Sequence, residues 1–258
     1  MALSLTNKVA VIAAGAALGI AVLQGSAQAA TLTQWNFNTV PVADANPVTG
    51  TLTPSIGTGT VSRVGGTTGT FVTADDGGSS TDSQVGDDSA LDTTTYPAAT
   101  ALNKTAGVEF RVSTVGQQDV QVIFDQYFSA TSSKYSQFQY SLNWTNTGFV
   151  DFGSQVVGVT NTWSNNNRFN LSSILGANNN ANFAFRIVSA FAPLNATGYE
   201  GTGGTYATDG SWRFDMATVE ATPIPTPALL PGLVGMGVAA LRKKRKSEAE
   251  AKAVSVDV

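Results

Sequence analysis

The middle of the chain alternates apolar and polar side chains. From Gly107 onward, Val108, Phe110 and Val112 fall on one side, with Glu109, Arg111 and Ser113 on the other. That period of two is what a strand with one buried face requires. The pattern recurs at Val120, Val122, Phe124 and Phe128, then at Phe138, Tyr140, Leu142 and Trp144. It returns at Phe183, Phe185, Ile187 and Phe191, and again at Trp212, Phe214 and Met216, while Trp35 and Phe37 add an N-terminal strand. Each apolar face needs a partner, so strands joined by Gly-, Asn- and Ser-rich connections predict two antiparallel sheets packed face to face. The expected fold is all-β, an antiparallel β-sandwich of jelly-roll type, with an immunoglobulin-like sandwich as second choice. Residues 49–70, rich in Gly and Thr, and 74–95, rich in Asp, Ser and Gly, read either as sheet edges or as loops.

The two ends follow a different pattern. Residues 9–23 form an unbroken apolar run preceded by Lys8 and followed by Gly25-Ser26-Ala27-Gln28-Ala29. This is the charged, apolar and small-residue order of a secretory signal peptide, with Ala27 and Ala29 as the cleavage positions and the cut after Ala29. At the other end, Pro223-Ile224-Pro225-Thr226-Pro227 precedes an apolar helix predicted over 228–241, which Arg242, Lys243, Lys244, Arg245 and Lys246 terminate. Fourteen helical residues reach about 21 Å, short of a hydrocarbon core of roughly 30 Å, so the segment is a poor permanent anchor. The basic cluster should stay cytoplasmic while the signal peptide sends the body across. The expected organisation is a signal peptide (1–29), an extracellular sandwich (30–222), a C-terminal sorting segment (223–246) and a polar tail (247–258).

Composition narrows the chemistry. The 258 residues include no His and no Cys, which removes disulfides, thiolate metal sites, Cys nucleophiles, His bases and every Ser-His-Asp triad. Residues 31–226 carry seven basic and fifteen acidic side chains, a net charge of −8 that repels phosphate backbones. Nucleic acid is therefore not an expected partner.

Pro225-Thr226-Pro227-Ala228-Leu229-Leu230-Pro231-Gly232, the short apolar span and the Arg/Lys cluster together resemble a bacterial PEP-CTERM sorting signal in its PTPA variant. The resemblance implies signal peptidase and an exosortase-type membrane protease as partners in transit, transient anchoring in the inner membrane, and delivery to the cell surface or extracellular space. Here Pro-Thr-Pro stands where Pro-Glu-Pro is usual, and twelve residues follow the basic cluster. Asn103-Lys104-Thr105-Ala106-Gly107-Val108, Phe138-Gln139-Tyr140-Ser141, residues 185–191 and Trp212-Arg213-Phe214-Asp215-Met216 also resemble blocks of exported proteins carrying such signals. That likeness implies a jelly-roll-like extracellular domain associated with envelope or polysaccharide.

The preferred site is the polar side of one strand: Tyr135, Gln137, Gln139, Ser141 and Asn143 offer a ring, amides and hydroxyls suited to sugars, with Tyr127 and Trp163 as further rings. No cofactor is assigned, although clustered carboxylates suit calcium. The candidates are Asp75, Asp76, Asp87 and Asp88, with Asp82 and Asp92 nearby. No catalytic residue is assigned. Glu109, Asp119, Asp125, Asp151, Glu200, Asp209 and Asp215 leave a carboxylate-pair glycosidase as the alternative to a non-catalytic surface protein. Arg186 and Arg213 are expected to brace sheet faces, Arg213 with Asp215 on the same side.

Overall fold

A computed structural model describes residues 28–39, 46–83, 88–145, 148–194, 197–225, 242, 243 and 245. The signal helix and the apolar segment 228–241 lie outside these residues, as do Thr226, Pro227, Ala228, Lys244 and Lys246. Among the described residues no helix is long and apolar enough to cross a membrane.

Two antiparallel six-stranded sheets pack face to face. The first contains β1 (Ala30–Trp35), β3 (Thr68–Thr73), β4 (Ser89–Thr94), β6 (Gln117–Phe128), β10 (Thr162–Asn170) and β12 (Trp212–Pro223). Its order is β10-β6-β12-β4-β3, with β1 pairing the second half of β12 beyond β4. The second sheet contains β2 (Thr60–Val64), β5 (Gly107–Val112), β7 (Tyr135–Ser141), β8 (Val150–Asp151), β9 (Val156–Val157) and β11 (Phe183–Ala190). Its order is β2-β5-β11-β7, and the short β8 and β9 share the outer edge of β7. Both low-complexity stretches supply strands: β2 and the start of β3 come from the Gly/Thr-rich one, β4 from the Asp-rich one.

The alternating residues face inward largely as the period of two predicts. Phe110, Phe124, Phe138, Phe185 and Trp212 are fully buried between the sheets. Two stretches depart from the pattern for identifiable reasons. In β12 a bulge falls between Asp215 and Thr218, centred on Met216 with φ 48°. One extra residue flips the parity, so Ala217, Val219 and Ala221 continue the buried face in place of Met216. In β7 the strand ends at Ser141, so Leu142 is exposed and Trp144 is only half-buried.

Rings run through the core almost without interruption. Trp35 packs on Phe110 (centroids 5.1 Å apart), Phe110 on Phe185 (4.7 Å), Phe185 on Phe138 (5.8 Å), Phe138 on Phe169 (4.2 Å) and Phe169 on Phe124 (5.8 Å). The series passes from the first sheet to the second and back. First and last strands end together, Ala30 opposite Ala221, so the body begins and finishes at one pole of the sandwich.

Phe138 contacts rings of both sheets and has no exposed surface. Phe138→Ala is expected to lower unfolding free energy by about 3–5 kcal/mol in denaturant titration. A loss below about 1 kcal/mol would mean that the layer is not what couples the sheets.

Candidate functional site

The polar side of β7 is not the solvated platform expected from sequence. Gln137 is 4% exposed, Gln139 5% and Ser141 1%. Gln137 uses its amide N–H to bond the carbonyls of Phe152 (3.3 Å) and Phe138 (3.0 Å). It thereby satisfies backbone groups where the edge is broken between β8 and β9. Gln139 lies in a row that crosses five strands: Ser62, Glu109, Arg186, Gln139 and Asp151 are successive cross-strand neighbours. Arg186 donates to Gln139 Oε1 (2.5 Å), the Gln139 amide donates to Asp151 (2.6 Å), and Lys104 pairs with Asp151. The Phe149 ring covers the Arg186 guanidinium at 4.2 Å. Burial lowers the Arg186 pKa, against the pull of Glu109 and Asp151. Burial also opposes ionisation of Asp151, but its bonds from Gln139 and Lys104 prevail and hold its carboxyl below the ordinary range. Asn143 caps a turn, accepting from Thr145, and Tyr135 is half-buried with the Lys134 ammonium 5.7 Å from its ring centre. These groups largely satisfy one another, as the bracing role expected for Arg186 requires.

The Asp-rich segment behaves as a strap over the outer face of the first sheet. Tyr127 and Trp163 do lie side by side on β6 and β10, 5.8 Å apart, but both are buried with Ala74 and Ala90. Asp76 pairs with Arg213 (3.0 Å), Ser80 donates to Asp215 (2.5 Å), and Thr81 donates to Asp125 from its backbone N–H and hydroxyl (2.6 Å each). Asp75 is exposed and Asp87 lies outside the described residues. Arg213 therefore meets Asp76 and Asp92, not Asp215. The carboxylates that converge are Asp82, Asp88 and Asp215, with ligand oxygens all within 4.8 Å of one another. That span matches oxygens about 2.4 Å from a common hard cation, so of the described calcium candidates Asp75, Asp76 and Asp88, only Asp88 belongs to the group. Asp215 is fully buried, and burial pushes its pKa well above the ordinary carboxylate value despite the bonds from Ser80 and the Met216 backbone N–H.

An open cleft of about 430 Å³ lies between the broken edge of the second sheet and β10 of the first. Phe152, Phe169, Val156 and Val157 supply its apolar surface; Ser154, Gln155, Ser164, Arg168 and Asn170 supply polar groups. The cleft exists because β8 and β9 do not form one continuous strand: Phe152 still donates its backbone N–H to Phe138 (3.0 Å), and residues 153–155 bow away from β7 before β9 rejoins it. Asn167 also lines it, but both ends of its amide are occupied, bonding Ser164 and the Phe124 carbonyl across the β10 bulge. Gln155 Oε1 is buried in the wall and has no hydrogen-bond partner within the protein. Among the described residues no carboxylate lines the cleft. Sequence analysis missed this site because Ser164-Asn165-Asn166-Asn167 reads as a connection, and the bulge there interrupts the alternation that would have placed Arg168 and Asn170 on one strand face.

No family model matches the chain, and no curated protein matches it. Among solved structures it is similar to the CBM22-1 xylan-binding domain of Paenibacillus barcinonensis Xyn10C, at 12% identity and a TM-score of 0.45, covering 78% of this chain and all of that one. It is also similar to domains CD of a second protein, at 13% identity and a TM-score of 0.32, covering 62% of each.

The buried Asp215 makes stability depend on pH with a definite sign. A carboxyl whose folded pKa is raised favours folding below its unfolded value of about 3.9, and that contribution disappears as pH rises through the folded value. In the presence of a chelator, Asp215→Asn should therefore gain stability relative to wild type as pH increases from 4 to 8. The difference in melting temperature measures it; a difference that stays constant across the range would refute the assignment.

Proposed function

We propose that this protein is a non-catalytic, exported surface or extracellular-matrix component that engages polysaccharide through the cleft beside β10. The observation that carries this reading is the composition of the cleft wall: amides, two hydroxyls and one guanidinium beside two phenylalanine rings and two valines, with no carboxylate among the described residues. Sugars bind through hydrogen bonds to such groups and through packing of their C–H faces on rings. The volume lies within the roughly 300–1,000 Å³ usual for ligand sites. Arg168, half-exposed and 3.5 Å from Glu220, is the charged group lining the cleft, which suits neutral or acidic polymers.

The glycosidase alternative needs two carboxylates facing a cleft. Asp125 and Asp215 are directly opposite on neighbouring strands, but the 79–82 segment covers them. The strand connections support the jelly-roll reading, since β4 to β7 alternate between the sheets, as do β10 to β12. Export and sorting rest on the terminal segments: a signal peptide cut after Ala29, and Pro225 to Ala228 followed by the apolar span and basic cluster as a PEP-CTERM-like signal for an exosortase-type protease.

Ser154 and Asn170 are exposed, and Arg168 is half-exposed, so truncating them should spare the fold. A glycan array followed by calorimetry on the retained polysaccharide tests the reading. Arg168→Ala/Asn170→Ala should weaken binding at least tenfold, equivalent to about 1.4 kcal/mol, with an unchanged melting temperature. Binding that survives the double variant, or polymer turnover lost with a single carboxylate, would defeat it.

A further inference from the structure

The pole at which the body begins and ends carries an unusual surface. Ile224, just past β12, donates its backbone N–H to the Gly116 carbonyl (2.9 Å). Gly116 in turn donates to Asn179 Oδ1 (2.9 Å), and Thr114 donates through its hydroxyl to the Ala177 carbonyl (2.6 Å). These bonds tie the last strand to the 113–117 turn and to a single 3-10 turn, Leu175–Ala177. Leu142 joins them, because a Cβ on Gly176 would fall 2.6 Å from Leu142 Cδ1, so glycine lets the leucine lie flat on the turn. The result groups four outward apolar side chains: Leu175 (78% exposed), Val115 (58%), Leu142 (38%) and Ile224 (37%). Trp144 stands beside them, its backbone N–H bonded to the Asn182 carbonyl and its ring 4.1 Å from the Arg111 guanidinium.

Charge is distributed to match. Segments 113–118, 141–145 and 171–182 contain no acidic or basic residue, although the body as a whole is strongly acidic. Lys104, Glu200 and Asp209 lie in the loops of the opposite pole. The carboxylates nearby are Glu109, which pairs with Arg111 (2.8 Å), and the exposed Asp119, whose backbone N–H bonds Asn178; the apolar side chains with the tryptophan are the composition of a surface that meets a lipid headgroup layer.

The length of the connection identifies the occupant. Ile224 is fixed to the pole, and the apolar segment begins at Ala228. Four residue steps span at most about 14 Å, whatever conformation they take. The headgroup layer on one side of a bilayer is itself roughly 5–8 Å thick. A body tethered so briefly cannot stand clear of the surface, and the pole beside the tether must face it. We infer that, while the C-terminal segment is inserted, the Val115–Leu142–Leu175–Ile224 pole docks onto the bilayer with Trp144 and Arg111 at headgroup depth. The short tether makes the contact effectively intramolecular, so a small apolar patch suffices to orient the sandwich. Docking there leaves the cleft beside β10 on the flank, open to polymer.

This inference rests on reading residues 228–241 as membrane-inserted, and one experiment separates the two. The chain has no cysteine, so a cysteine introduced singly can carry a fluorophore. Leu175→Cys, Leu194→Cys and Gly235→Cys variants of the full-length chain are labelled and reconstituted into vesicles of phosphatidylethanolamine and phosphatidylglycerol containing a spin-labelled lipid. Leu194 is fully exposed, outside the docking pole. Lipid quenching should be at least twofold stronger at position 175 than at 194, with aqueous iodide giving the reverse order, and position 235 should be quenched most. Equal quenching at 175 and 194 beside strong quenching at 235 would overturn docking and leave insertion standing. Absence of lipid quenching at 235 would overturn both.

Discussion

The two sheets have no covalent or metal-thiolate link available, because the chain has no cysteine, so everything else depends on aromatic packing between them. The rings from Trp35 through Phe110, Phe185, Phe138 and Phe169 to Phe124 cross from the first sheet to the second and back, 4.2–5.8 Å apart. Burial of rings of this size is among the largest favourable terms a small core can supply, and their edge-to-face and stacked geometries add to it. Because this layer fixes the spacing between sheets, it also fixes the cleft. Phe169, on the edge strand β10, belongs to the ring series and lines the cavity there.

Outside that layer the sheet faces are treated unequally. On the second sheet, a row of hydrogen-bonded and charged groups from Ser62 to Asp151 crosses the strands and is partly roofed by Phe149. On the first, the Asp- and Ser-rich strap buries Tyr127 and Trp163 and brings three carboxylates together. Polar side chains in both places largely satisfy one another, which favours a single arrangement of each face, although Trp163 Nε1 and Arg213 Nε are buried without a hydrogen-bond partner on the first sheet. Beside the interrupted edge, Gln155 Oε1 is likewise buried without one.

The core was largely legible from residue types, since Val108, Phe110, Val122, Phe124, Phe185 and Trp212 face inward as their alternation predicts. The places where the pattern misleads are local irregularities that cost only one residue. The Met216 bulge exchanges parity within β12, and the Ser164–Asn167 bulge hides β10 inside an Asn-rich run. The candidate site was less legible because solvent exposure is a tertiary property. Gln137 and Gln139 have the chemistry of sugar contacts, yet the broken β8/β9 edge and Arg186 claim them first. Asp215 could not be linked to Asp82 and Asp88 from sequence, being more than 120 positions away from both.

The partnership of β1 with β12 also bears on when the molecule can become whole. β12 runs through the interior of its sheet, flanked by β6 on one side and by β4 and β1 on the other. Until its twelve residues are free to pair, β6 lacks a neighbour and β1 has none at all. A chain emerging N-terminus first, from a ribosome or through a pore, must therefore wait until β12 has emerged before that sheet closes. The architecture thus couples maturation of the sandwich to delivery of β12, and any truncation ahead of Trp212 leaves a half-sheet with open edges instead of a smaller working domain.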